Sequence, residues 1–109
     1  MSALIELTTA NFGSALEEHD FLLIEFWAPW CAPCKSFSET IKIIATEYPE
    51  VVFGSVNIDV EVALAEEFSV ISVPRVMILR DHTVVYDDVG SLSASALRQL
   101  LNDAKNLKA

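Results

Sequence analysis

Apolar residues along this chain come in runs whose period changes, and the changes mark alternating strands and helices. Leu4, Ile5 and Leu7 make a short edge-strand candidate, after which Thr8 or Thr9 can cap a helix running through Glu18, with Phe12, Ala15 and Leu16 on one face. Phe21 to Trp27 is apolar except for Glu25, the pattern of a strand covered on both faces. From Ala32 to Tyr48 the positions Phe37, Ile41, Ile44, Ala45 and Tyr48 follow helical spacing, with Pro33 tolerated in the first turn and Pro49 as the stop. Val51 to Ile58 reads as the next strand and Glu61 to Phe68 as a short helix facing inward through Leu64, Ala65 and Phe68. Val76 to Leu79 is a buried strand, Asp81-His82 a turn, and Thr83 to Val89 its antiparallel hairpin partner. Ser93 can cap a last helix whose stripe is Ala96, Leu97, Leu100, Leu101 and Ala104, before a polar tail from Asn106.

Alternating βαβ units require parallel neighbours joined by right-handed crossovers, and the closing hairpin adds antiparallel strands. The expected class is α/β, with a mixed sheet carrying helices on both faces. A chain of 109 residues, 52% of them hydrophobic, supports one domain with one core, so residues 1–109 are read as a single domain.

The chemistry concentrates in Phe26-Trp27-Ala28-Pro29-Trp30-Cys31-Ala32-Pro33-Cys34-Lys35, which contains both cysteines of the chain. Two residues between cysteines in the first turn of a helix bring both sulfurs within bonding reach. Such a bridge encloses too short a loop to stabilise the fold much, so its use is chemical. At the helix start, unpaired N–H groups and the helix dipole favour a thiolate, which makes Cys31 the expected nucleophile. Cys34, one turn inside, is the expected resolving thiol that attacks the mixed disulfide. A zinc site completed by His19 and His82 is disfavoured, because the two histidines lie far apart and lack the paired spacing of zinc modules.

Glu25 is the anomaly of its strand. A carboxylate between two covered faces costs several kcal/mol if it stays charged, so burial is expected to raise its pKa and fit it to accept a proton from Cys34. The bland reading is a side chain that reaches out to solvent.

The run Trp27-Ala28-Pro29-Trp30-Cys31-Ala32-Pro33-Cys34-Lys35 resembles the active site of the thioredoxin family, whose common form has Gly in place of Ala32. Downstream, Val73-Pro74 sits where that family carries its cis-proline, Asn57-Ile58-Asp59 resembles the end of its third strand, and Gly90 the glycine lining its substrate groove. The resemblance implies a thioredoxin fold: a central five-stranded mixed sheet in the order 1-3-2-4-5, flanked by four helices. It also implies a protein-disulfide reductase that uses no bound cofactor beyond its Cys31–Cys34 pair, acts on disulfide-containing target proteins, and is regenerated by a flavin-dependent thioredoxin reductase. Trp30, Ala32, Pro33, Val73, Pro74 and Gly90 are the substrate-binding positions it implies, with Trp30 on the surface against partners. The chain departs from the family pattern at Glu25 (usually Asp), Ser55 (often Lys), Glu39 (a helix-kinking Pro) and Arg75 (commonly Thr). Arg75 is weighed between a positive charge near the dithiol and a surface pair with Asp59 or Asp87. A thiol oxidase or isomerase, or a non-catalytic scaffold of the same fold, are the alternatives.

Charge narrows the partners. Acidic residues outnumber basic ones by 16 to 7, for a formal net charge of −9, which disfavours nucleic acid and anionic lipid. The start Met1-Ser2-Ala3-Leu4-Ile5-Glu6 lacks the features of a secretory signal and no run is long enough to span a bilayer, so a cytoplasmic monomer is expected.

Overall fold

A computed structural model describes residues 4–107, and the end of the polar tail lies outside them. In chain order the elements are β1 (Ile5–Glu6), α1 (Phe12–Glu18), β2 (Phe21–Trp27), α2 (Ala32–Ala45), β3 (Val52–Asn57), α3 (Val62–Glu67), β4 (Arg75–Arg80), β5 (Thr83–Val89) and α4 (Ala94–Lys105). The strands form one sheet in the order β1-β3-β2-β4-β5. β1 and β2 pair parallel with β3, whereas β4 runs antiparallel to both β2 and β5. This is the α/β architecture and strand order that the sequence and its resemblance imply.

The period-two geometry of β2 divides the interior into two layers. Leu22, Ile24 and Phe26 point to one face, where they meet Phe12, Val56, Leu64 and Met77. Phe21 and Leu23 point to the other, against Phe37, Ile41 and Ile44 of α2 and Leu97 and Leu101 of α4. Glu25 falls in this second row, under α2. No helix among the described residues is long and apolar enough to cross a membrane.

Several element ends differ from the periodic reading: β3 is one residue shorter at each end than Val51 to Ile58, β4 one residue longer at each end than Val76 to Leu79, α3 starts at Val62 rather than Glu61, and other helix ends differ as well. The α-helical part of the first helix begins at Phe12, and Thr8 caps the turn that leads into it, its carbonyl accepting from the Phe12 N–H (2.9 Å). Thr8 forms a reciprocal turn with Asn11, its N–H donating to Asn11 Oδ1 (2.7 Å) and its Oγ1 accepting from the Asn11 N–H (3.3 Å). Thr9 donates through its N–H to Glu61 Oε1 (2.9 Å), which ties the segment to the start of α3. The α-helical part of α2 ends at Ala45, before Tyr48 and Pro49. Its continuation tightens into three-residue hydrogen bonds, with the Glu47 N–H donating to Ile44 O (2.9 Å). Tyr48 stays buried in that tighter turn, and its hydroxyl donates to Asn102 Oδ1 of α4 (2.9 Å). The third and shortest helix stops at Glu67, one residue short of Phe68. The last helix starts where expected, with Ser93 Oγ accepting from the Ala96 N–H (3.1 Å).

Gly54 in the middle of β3 is required by the close approach of β1: a Cβ placed there would lie 2.5 Å from Leu7 Cδ1 and 3.0 Å from Leu7 Cγ. Leu7 is itself buried and has little room to yield. Gly54→Ala is therefore expected to cost about 1–3 kcal/mol in urea unfolding, and combining it with Leu7→Val to recover part of that loss. Equal midpoints for Gly54→Ala and the parent would show that β1 yields freely.

Candidate functional site

β2 leaves the sheet at Trp27, and the chain turns through Ala28, whose carbonyl accepts from the Cys31 N–H (3.1 Å). Cys31 is the residue that caps α2: its backbone is extended and its Sγ accepts from the Cys34 N–H (3.2 Å). The sulfur thus occupies the place that a Ser or Asp oxygen takes at other helix starts. A negative charge there faces the Cys34 backbone N–H and the positive end of a helix dipole. Cys31 and Cys34 are joined by a disulfide, with Cα atoms 5.3 Å apart. Both are buried, and Ala32 and Pro33 between them are exposed on the surface.

The other sequence-predicted positions gather around this pair. Val73 packs against Ala28, Cys31 and Cys34, and the Val73–Pro74 peptide is cis. The Pro74 carbonyl accepts from the Gly90 N–H (2.7 Å), which joins the loop before β4 to the end of β5. Gly90 has φ +105°, a conformation that side-chain-bearing residues rarely adopt, so glycine suits that place. Trp30 is 65% exposed, and its indole N–H donates to Asp59 Oδ1 (3.1 Å). That bond ties the indole to the loop after β3. Ile71 and Val60, on the loops before β4 and after β3, expose apolar side chains that periodicity alone did not single out.

Glu25 is fully buried, so it does not reach out to solvent. It lies opposite Ser55 in β3 and Val76 in β4. Both carboxyl oxygens stand 2.9 Å from Ser38 Oγ of α2, which donates to them. Desolvation pushes its pKa from an ordinary 4.5 up to about 7, against the opposing pull of the Ser38 hydroxyl and the Lys42 charge. A cleft of about 540 Å³ is lined by Glu25, Cys34, Ser38, Lys42 and Ser55 among others, so the acidic residue and the second cysteine lie along one cleft. Sequence reasoning missed Ser38 and Lys42. Their signal is the spacing Cys34, Ser38, Lys42, a polar row at four-residue intervals beside the apolar stripe of α2.

Of the two readings weighed for Arg75, the structure favours the pair with a carboxylate. Its guanidinium grips Asp87 of β5 with two bonds (Nε to Oδ1, 2.7 Å; Nη2 to Oδ2, 2.8 Å). Its Nη1 donates to the Phe68 carbonyl at the end of α3 (2.7 Å). The paired guanidinium holds the Asp87 carboxyl below its usual range. Asp87 is therefore the partner, and Asp59 is taken by Trp30. The histidines also lie apart from the sulfurs: His82 Nε2 stands 3.8 Å from Asp20, at the opposite end of β2. Among the described residues, no three His, Cys, Asp or Glu side chains converge in a way that could hold a metal.

Two outcomes follow from these geometries. The folded pKa of Glu25 lies above its unfolded value, so its stabilising contribution is complete below pH 4.5 and is lost as pH rises through about 7. Over that window the oxidised protein is expected to lose about 3 kcal/mol more than Glu25→Gln in denaturant titrations. Parallel pH profiles for the two proteins would place the carboxyl in water. Arg75→Thr is expected to lower stability by about 1–3 kcal/mol, by leaving the Phe68 carbonyl and Asp87 without their donor, while the thiolate titration of the reduced protein stays unchanged. A shift in that titration would restore Arg75 to the dithiol.

Comparison with known proteins agrees with this arrangement. A family model described as Thioredoxin matches residues 3–103. A Streptomyces coelicolor protein provisionally named thioredoxin 2 is 36% identical over 107 residues, covering 98% of this chain and 80% of its own. The thioredoxin of Buchnera aphidicola from Acyrthosiphon pisum is 33% identical over 108 residues, covering 97% of this chain and all of its own. Among solved structures, thioredoxin f2 of Chlamydomonas reinhardtii superposes with a TM-score of 0.86 at 25% identity, over 97% of this chain and 100% of that one.

Proposed function

The chain belongs to the thioredoxin family and is a disulfide oxidoreductase acting by dithiol–disulfide exchange, and from that premise we propose that it works as a reductase of protein disulfides. The observation that carries this reading is the placement of Cys31 Sγ at the cap of α2, bonded to Cys34 and accepting from its N–H. Thioredoxins act on disulfide substrates together with thioredoxin reductase, and the same pairing is proposed here. The family needs no cofactor, and the redox-active disulfide is present.

In the dithiol form, the Cys31 thiolate attacks one sulfur of a target disulfide. A Cys31–target bond forms and the other target sulfur leaves as a thiolate, to be protonated by water. Cys34 then gives up its proton to Glu25 and attacks Cys31 Sγ. The Cys31–target bond breaks, the second target thiolate leaves, and the Cys31–Cys34 disulfide closes. Two electrons have passed to the target. Glu25 suits the acceptor role because its carboxyl, poised at about 7, can both take and release a proton near neutrality. An extended target segment is the fitting partner for the positions near the sulfurs, with Trp30, Ala32, Pro33, Val73, Pro74 and Gly90 as the proposed contacts. A reducing compartment such as the cytoplasm suits a cycle that must return to the dithiol.

The division of labour between the sulfurs is tested by trapping. Cys34→Ser is expected to accumulate a stable mixed disulfide with a disulfide-bonded substrate such as insulin, whereas Cys31→Ser accumulates none. The parent with dithiothreitol is expected to speed insulin precipitation. Trapping through Cys34 instead of Cys31 would overturn the assignment, and failure of the parent to speed precipitation would favour a scaffold.

A further inference from the structure

Glu25 raises a problem that the exchange cycle leaves open: a carboxyl sealed from solvent must discharge the proton it has taken before the next turnover. Ser38 is the one hydrogen-bond partner of its carboxyl among the described residues, with its Oγ 2.9 Å from each oxygen. Ser38 is half-buried and lines the cleft that also borders Cys34, so its hydroxyl touches the carboxyl on one side and the opening on the other. We propose that Ser38 is a positioning and relay residue, whose hydroxyl fixes the Glu25 carboxyl toward Cys34 and carries its proton to water in the cleft. The inference rests on the reading of Glu25 as the acceptor for Cys34.

A serine hydroxyl has one hydrogen to give and two lone pairs to receive, and it rotates freely. Facing the Glu25 carboxylate, it donates, as seen here. Once Cys34 has passed its proton across, the carboxylic acid donates to Ser38 Oγ, and the Ser38 hydrogen moves to a cleft water. The net change is one proton from Cys34 to solvent, with the carboxylate and the hydroxyl restored and no electron moved. An alanine at this position would keep the helix and lose the connection.

Other groups around the cleft have different parts to play. On α2, Lys35, Glu39 and Lys42 are exposed at the rim. Lys42 stands 3.5 Å from Glu39 and lowers the Glu25 pKa by its charge. On β3, Ser55 lies opposite Glu25 in the sheet, and on β4 the opposite residue is the apolar Val76. Among the charged and hydroxyl groups of these three elements, Ser38 alone is in hydrogen-bonding contact with the carboxyl.

The test uses the full-length protein and follows resolution of a preformed Cys31 mixed disulfide with a small thiol across pH, in the parent, Ser38→Ala, Ser38→Thr and Glu25→Gln. Loss of the Ser38 donor removes an influence that holds the Glu25 pKa down, so the Ser38→Ala profile is expected to move to higher pH. At neutral pH its resolution is expected to be about tenfold slower, within the usual reach of proton-transfer assistance. Ser38→Thr keeps the hydroxyl and is expected to follow the parent, and imidazole, small enough to enter the cleft, is expected to restore part of the Ser38→Ala rate. A Ser38→Ala profile that overlays the parent, while Glu25→Gln is slow, overturns the relay and leaves the Glu25 reading intact. A Glu25→Gln protein as fast as the parent overturns both. Equal slowing in Ser38→Ala and Ser38→Thr, with no shift in pH profile, marks a packing effect and also overturns the relay.

Discussion

The site depends on β2 being covered on both faces. Its backbone is hydrogen-bonded to β3 on one side and β4 on the other, and its side chains alternate between two apolar layers. A strand so placed has little freedom in register, because a slip by one residue would exchange its two rows of side chains. It therefore fixes two things at once: the carboxyl of Glu25 under α2, and the point at which the chain turns at Trp27 to begin the helix capped by Cys31. The desolvation that makes a carboxylate costly at Glu25 is the same effect that moves its pKa to about 7. Stability is given up as pH rises from about 4.5 to about 7, in exchange for a proton acceptor near the resolving cysteine.

Around that strand, the remaining elements hold the exchange surface by contacts between residues far apart in sequence. Gly90 fastens the Pro74 carbonyl, Asp59 fastens the Trp30 indole, and Arg75 ties the end of α3 to β5. Arg75 is a structural clamp rather than an electrostatic guide, since all three of its guanidinium nitrogens are engaged, by Asp87 and by the Phe68 and Ser69 carbonyls. The start of α2 supplies N–H groups to Cys31 instead. Among those N–H groups is that of Cys34, which donates to Cys31 Sγ.

Much of this was legible in the sequence where the controlling physics is local. The uninterrupted apolar run from Phe21, broken by Glu25, located β2 with its ends, because burial on both faces leaves no polar alternation to blur them. The Asp81-His82 turn and the Ser93 cap were legible because both act within a few residues, as was the Cys31 position at a strand-to-helix turn. What was not legible depended on distant partners. Glu61 holds Thr9 across 52 positions, a link that no local pattern marks. Asp87 draws Arg75 from 12 positions away, and periodicity cannot rank it above Asp59. The apolar spacing of α2 continued to Tyr48 because a tighter turn keeps the same face inward for a few residues. Ser38 was overlooked because a serine on a half-buried helix face is unremarkable until the carboxyl beneath it is known.

The account places the Cys31–Cys34 pair among reductants, and the equilibrium potential of that pair tests this most directly. The protein would be equilibrated with glutathione buffers of graded ratio and its dithiol fraction read after acid quenching and alkylation. The expected midpoint is more negative than about −230 mV, in the range of couples that donate electrons to glutathione disulfide. A midpoint above about −180 mV, where disulfide isomerases and oxidases are poised, would contradict the reductase reading and favour an oxidant of protein thiols.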